Sequence, residues 1–101
     1  LEETFGPVIP IIRVKSVDEA IEVANEVIYG LDAAVFGRDI STLWRVARSL
    51  EVGEVTINDF PRHGTGIFPF GGVKESGFGR EGVGFSVEDV TELKTIVITY
   101  K

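Results

Sequence analysis

Within the first 58 residues, three short apolar runs alternate with two stretches of helical periodicity. That alternation restricts the fold more than any other feature of the chain. Strand–helix–strand–helix–strand order implies parallel strands joined by right-handed crossovers, because a parallel pair cannot be closed by a tight turn. Residues 8–14 (VIPIIRV) are a continuous apolar run of the kind buried on both faces of a sheet. Pro10 within the run places that strand at an edge or leaves a ladder bond unmade. Ser16 and Glu19 have the spacing of a capping box. Ala20, Ile21, Ala24, Val27 and Ile28 then follow at helical spacing, predicting one stripe against a core, with Gly30 as the stop. Residues 33–36 predict a second strand and Gly37-Arg38-Asp39 the turn after it. Asp39 or Ser41 is the candidate cap of the next helix. That helix is predicted to carry Leu43, Trp44, Val46, Ala47 and Leu50 inward and Arg45 and Arg48 outward, with Gly53 as its C′ residue. Residues 55–57 complete the pattern as a third strand.

The second half is built differently. Residues 58–84 hold eight of the twelve glycines and two of the four prolines. So long a glycine-rich stretch inside a domain is usually functional or pinned by other structure. A short helix is predicted over residues 85–90. Residues 93–100 (LKTIVITY) end in strict alternation, with Ile96 and Ile98 on one face and Val97 and Thr99 on the other. No hairpin turn precedes this strand, so its expected partner lies outside the chain.

Composition narrows the function. The chain has 101 residues, 44% hydrophobic and 26% charged, as folded proteins have. It has neither Cys nor Met, which excludes a disulfide framework, a thiolate metal site and a cysteine nucleophile within these residues. Without a start Met, the chain is expected to be part of something longer. A net charge of −6, with ten basic residues scattered among sixteen acidic ones, argues against a nucleic-acid surface. No apolar run reaches the roughly 18 residues of a membrane span, and the acidic Glu2-Glu3 start lacks the basic region of a signal peptide, so a cytoplasmic location is expected. The absence of Gln beside ten Ile and fourteen Val leans toward a heat-adapted source.

Several residues are candidates for chemistry. Gly77-Phe78-Gly79-Arg80-Glu81-Gly82 matches G-x-G-x-x-G, but the preceding PFGGVKES does not read as a strand, so the glycines are expected to serve tight turns rather than a dinucleotide. His63 is the sole histidine. Its neighbour Arg62 could hold a carboxylate or phosphate through a bidentate guanidinium, or simply face solvent. Phe68, Phe70 and Phe78 either plug a local core or line a pocket. The pattern contains no nucleophile paired with a base, no metal cluster and no phosphate cradle.

In order along the chain stand Glu2-Glu3-Thr4-Phe5-Gly6-Pro7-Val8, Tyr29-Gly30-Leu31-Asp32-Ala33-Ala34-Val35-Phe36, Val55-Thr56-Ile57-Asn58, Pro69-Phe70-Gly71-Gly72-Val73-Lys74-Glu75-Ser76-Gly77 and Gly79-Arg80-Glu81-Gly82, followed by Thr91-Glu92-Leu93-Lys94-Thr95. This series resembles the C-terminal end of NAD(P)-dependent aldehyde dehydrogenases. It is most similar to the lactaldehyde, succinate-semialdehyde and non-phosphorylating glyceraldehyde-3-phosphate enzymes. The resemblance implies an α/β fold. Residues 1–76 would be the last part of the catalytic domain, with parallel βαβαβ order and a long glycine-rich loop. Residues 77–91 would be a return segment with a short helix, and residues 92–101 an oligomerisation strand.

The resemblance also implies chemistry. In the family a cysteine thiolate attacks the aldehyde, hydride passes to NAD or NADP, and a glutamate-activated water hydrolyses the thioester. The cysteine and its base belong to segments before residue 1, so this chain alone is expected to be inactive. Glu3 matches the carboxylate that accepts hydrogen bonds from the nicotinamide-ribose hydroxyls, and Phe5 the aromatic near the nicotinamide. Phe70 matches an aromatic of the substrate tunnel. Residues 61–67 match the loop at its mouth, where Arg62 and His63 suggest an anionic aldehyde. Glu92, Lys94, Ile96 and Ile98 match the subunit interface of a dimer or tetramer. A stand-alone, non-catalytic module that binds a partner through its terminal strand is the other reading.

Overall fold

The computed structural model describes residues 2–62 and 66–100. Helix α1 spans Val17–Asn25 and helix α2 spans Ile40–Ser49. Between and after them lie strands β1 (Tyr29–Gly30), β2 (Asp32–Val35), β3 (Glu54–Ile57) and β4 (Val73–Lys74), then helix α3 (Val83–Asp89).

Both long helices start where side-chain chemistry says they should. Ser16 caps α1, its hydroxyl accepting from the Glu19 amide at 3.1 Å. The return arm of the box is displaced by one residue, since the Glu19 carboxylate accepts from the amide of Lys15 at 2.6 Å. Asp39 caps α2 and accepts from both the amide and the hydroxyl of Thr42. Those bonds, the hydroxyl first, hold the Asp39 carboxyl below its usual pKa of 3.8. The C-terminal signals fared worse. Helix α1 ends at Asn25 with Glu26 as its cap, four residues before Gly30, which lies in β1. Helix α2 is capped by Leu50 in extended conformation, so Gly53 is not its C′ residue. Gly53 serves a close approach. Its amide donates to the carbonyls of Gly30 and Leu31 at 3.1 and 3.0 Å, and a Cβ there would overlap the Gly71 carbonyl oxygen.

The expected parallel pairing is present at the centre. Strands β2 and β3 run parallel with Ala33 opposite Val55 and Val35 opposite Ile57, and α2 crosses between them. Leu43 of α2 is the one buried large apolar side chain among the described residues, at 4% exposure. Trp44, expected inward, is 59% exposed, because its neighbour Leu43 already occupies the core-facing stripe of the helix. An ion pair at 2.6 Å joins Arg45 of α2 to Asp18 of α1 on the exposed side.

Two predicted strands make no ladder. Residues 8–14 contribute no strand and are exposed throughout, Ile9 by 88% and Ile11 by 86%. A strand requires a neighbour for its amides as well as apolar side chains, and the described chain offers residues 8–14 none. Residues 93–100 likewise pair with no strand and lie exposed, with Ile96 at 75% and Ile98 at 71%. The glycine-rich segment turns back on the body: β4 pairs antiparallel with β1, and Phe70 bridges Glu81. Helix α3 begins two residues before its predicted start.

The outcome is an open molecule. Its radius of gyration is 18.7 Å, against about 13 Å for a compact domain of 100 residues. Its accessible surface is 8801 Å², against about 5,600 Å² from the size scaling of compact monomers. Exposed apolar side chains run through residues 5–14 and 93–100 and also occur in between, as at Trp44 and Phe78. No helix among the described residues is long and apolar enough to cross a membrane.

Candidate functional site

Two adjoining spaces open at the β1–β2 corner. A groove of about 560 Å³ is lined by Ala24 and Val27 from the α1 side, by Tyr29 to Ala34, and by Leu50 and Val52, with Glu3 and Ser76 at its polar positions. Asp32 lines it as well, and its Oδ1 is buried with no hydrogen-bond partner among the described residues. Next to it a recess of about 330 Å³ is formed by the glycine-rich segment, with Phe70, Phe78, Arg80, Glu81 and Asp89 in its wall. Leu31 and Ser76 line both spaces, so the two adjoin.

The recess is shaped by main-chain contacts. Phe70 and Glu81 exchange amide–carbonyl bonds of 3.0 and 2.6 Å. Arg80 Nη1 donates to the carbonyls of Gly72 and Gly79 at 3.1 and 2.7 Å, while the Arg80 amide donates to the Asp89 carboxylate at 3.3 Å. Gly77, Gly79 and Gly82 all have positive φ, as expected of turn glycines. At Gly82, φ is 130° and a Cβ would come within 2.9 Å of the Phe68 carbonyl oxygen.

A polar knot that the sequence patterns did not reveal fixes this loop to the helices. Lys74 has φ 54° and sends its ammonium back to the carbonyls of Asn25 and Val27, at 2.7 and 3.1 Å, at the end of α1. The same ammonium pairs with Glu51 at 2.8 Å. Asn25 then ties the two helix ends together, donating to the Ser49 carbonyl at 2.8 Å and accepting from the Glu51 amide at 2.9 Å. The Ser76 hydroxyl accepts from the Gly30 amide at 2.9 Å. The hydrogen bonds of the knot span 24 to 49 residues in sequence, beyond the reach of local pattern.

The expected site residues fall in three places. Glu3 reaches the groove, and Phe5 stands 87% exposed beside the same N-terminal segment. Phe70 is half-buried in the adjoining recess. Arg62 lies on the loop after β3, paired with Asp59 at 2.8 Å and set over the ring of Phe60. His63 lies outside the described residues. Glu92, Lys94, Ile96 and Ile98 are exposed along the terminal segment, and the structure does not bring them to the groove. No cluster of metal-ligating side chains occurs among the described residues.

Comparisons with known proteins agree over nearly all of the chain. Residues 1–96 match the model of the aldehyde dehydrogenase family. Lactaldehyde dehydrogenase of Methanococcus maripaludis strain C5 is 52% identical over 95% of this chain and 21% of its own length. NADP-dependent glyceraldehyde-3-phosphate dehydrogenase of Streptococcus equinus is 50% identical over 95% of this chain and 20% of its own. The structure of an aldehyde dehydrogenase from Bacillus cereus in complex with NAD+ superposes with a TM-score of 0.90 at 41% identity, covering 99% of this chain and 20% of that one. The chain thus spans about a fifth of the length of the curated relatives it matches.

Proposed function

Because the chain belongs to the aldehyde dehydrogenase family, we propose that it works as part of an enzyme that oxidises an aldehyde to its carboxylic acid with NAD or NADP. In this reading the chain supplies cofactor, substrate-tunnel and subunit contacts, and the thiolate nucleophile comes from residues outside it. The observation that carries the proposal is the superposition on an NAD+-bound aldehyde dehydrogenase over 99% of the chain.

Each role follows from side-chain chemistry. Glu3 and Phe5 would hold the nicotinamide ribose, Glu3 by accepting from its hydroxyls and Phe5 by apolar contact. The nicotinamide, when bound, accepts the hydride. Phe70 would give the substrate tunnel an apolar wall against the aldehyde. Arg62 would meet an anionic group on the aldehyde, a charge-assisted contact that a bidentate guanidinium makes well. A relative named for glyceraldehyde 3-phosphate supports an anionic substrate, and relatives named for lactaldehyde support a neutral one. The Arg62 loop favours the first.

Residues 93–100 would add a strand to a second subunit. Their exposed amides and alternating apolar side chains are what a partner sheet edge takes up. The test of the function is kinetic. In the full-length protein, Glu3→Gln should slow turnover or raise the KM for NAD(P). Unchanged kinetics would remove the ribose role.

A further inference from the structure

The loop leaving β3 arranges three side chains against one another. Asp59 Oδ1 accepts from the Phe60 amide at 2.9 Å, which fixes its carboxylate. Asp59 Oδ2 pairs with Arg62 Nη2 at 2.8 Å. The guanidinium carbon stands 5.2 Å from the centroid of the Phe60 ring, so the cation rests on an aromatic face. Both charged side chains are well exposed, Arg62 by 63% and Asp59 by 43%.

The guanidinium is therefore oriented in advance but already holds a carboxylate. An anion arriving from solvent must compete with Asp59 for the same donors. We infer that Asp59 is a specificity-determining residue: an internal carboxylate occupying Arg62 that an anionic aldehyde has to displace. The inference rests on the reading that Arg62 meets the anionic end of the substrate. An exposed pair of this kind is weak, so exchange is easy, and a substrate anion that fits the planar fork replaces Asp59. A neutral aldehyde gains nothing from Arg62 and leaves the pair closed. Asp59 thus sets how strongly charge on the aldehyde is rewarded.

The full-length protein tests this with two four-carbon probes, succinic semialdehyde, which carries a carboxylate, and butanal, which does not. Asp59→Asn keeps the acceptor for the Phe60 amide and removes the charge, so the loop should keep its form. Asp59→Ser serves as a second variant. The expected result is a fall of about two- to fivefold in KM for succinic semialdehyde, the range that weak exposed pairs allow, with kcat and the butanal constants unchanged. In the Arg62→Ala background, Asp59→Asn should have no effect. If Arg62→Ala raises KM for the charged probe alone while the Asp59 variants change nothing or raise it, the gating role is overturned and the anion contact survives. If Arg62→Ala affects both probes equally, the anion contact itself fails and the inference with it.

Discussion

Lys74 and Glu51 meet at 2.8 Å, and that pair joins the glycine-rich segment to the end of the second helix. The same ammonium satisfies two carbonyls at the end of α1, where unpaired carbonyls and the helix dipole favour a cation. With its side chain only 22% exposed, Lys74 has few alternative partners in water. One side chain therefore holds α1, α2 and β4 in register, and with them both walls of the candidate site.

Lys74→Met should remove this knot while keeping most of the stem. Hydrogen bonds to a charged group are each worth about 1.5–3 kcal/mol, and partial exposure reduces that, so a loss of about 2 kcal/mol is expected. A thermal melt of the full-length protein checks it, with an unchanged midpoint counting against the knot.

Gly53→Ala should be more damaging. Its Cβ would occupy the Gly71 carbonyl oxygen, a main-chain atom that cannot rotate away. Overpacking typically costs about 1–3 kcal/mol, and a main-chain overlap belongs at or above the upper end. Poor yield of soluble protein or a markedly lower melting temperature is the expected outcome. Wild-type stability would show that the β1–β3 corner is looser than described.

Ser16→Ala should cost about 1 kcal/mol, the usual value of a helix N-cap, because the Glu19 amide loses its acceptor. Ser16→Asp should restore it. Equal stability of the three forms would remove the cap from the account.

Asp39 predicts a pH dependence. Its carboxyl is held below 3.8 in the folded chain by Thr42, so the folded state favours the ionised form. The stabilisation is fully present above the unfolded value and is lost as pH falls below about 3.8 toward the folded value. Asp39→Asn keeps a capping oxygen and loses the titration. The stability difference between the two proteins should be constant near neutrality and shrink in that acid window. A constant difference down to the lowest accessible pH would contradict the Thr42 contacts.

Much of the inner architecture was legible because its causes are local. Ser16 and Asp39 announce their helices within four residues, and the β2–α2–β3 order forces the parallel pairing seen between Ala33 and Val55. The misses share one cause. Residues 8–14 have the apolarity of a buried strand, but a strand is a relationship, and no local pattern states who the neighbour is. Gly30 and Gly53 looked like helix stops, whereas their small size is required by Glu51 and Gly71, which are close only in space. Lys74 is far in sequence from the carbonyls at the end of α1 that the fold brings to it. Of the site, Glu3 and Phe70 reach adjoining spaces, while the Asp59–Arg62 pair emerged only with the side chains in place.

Truncation after Thr91 tests the terminal segment. The full-length protein is expected to form a dimer or tetramer, and removal of residues 92–101 should shift it to a smaller species in sedimentation. Unchanged assembly would place the interface elsewhere.

The most direct measurement is aldehyde-dependent reduction of NAD+ or NADP+, followed by the absorbance of the reduced nicotinamide, in the full-length protein and in the 101-residue chain side by side. Turnover by the full-length protein and none by the isolated chain is the predicted result. Turnover by the isolated chain, or none by the full-length protein with lactaldehyde, succinic semialdehyde and glyceraldehyde 3-phosphate alike, would contradict the account.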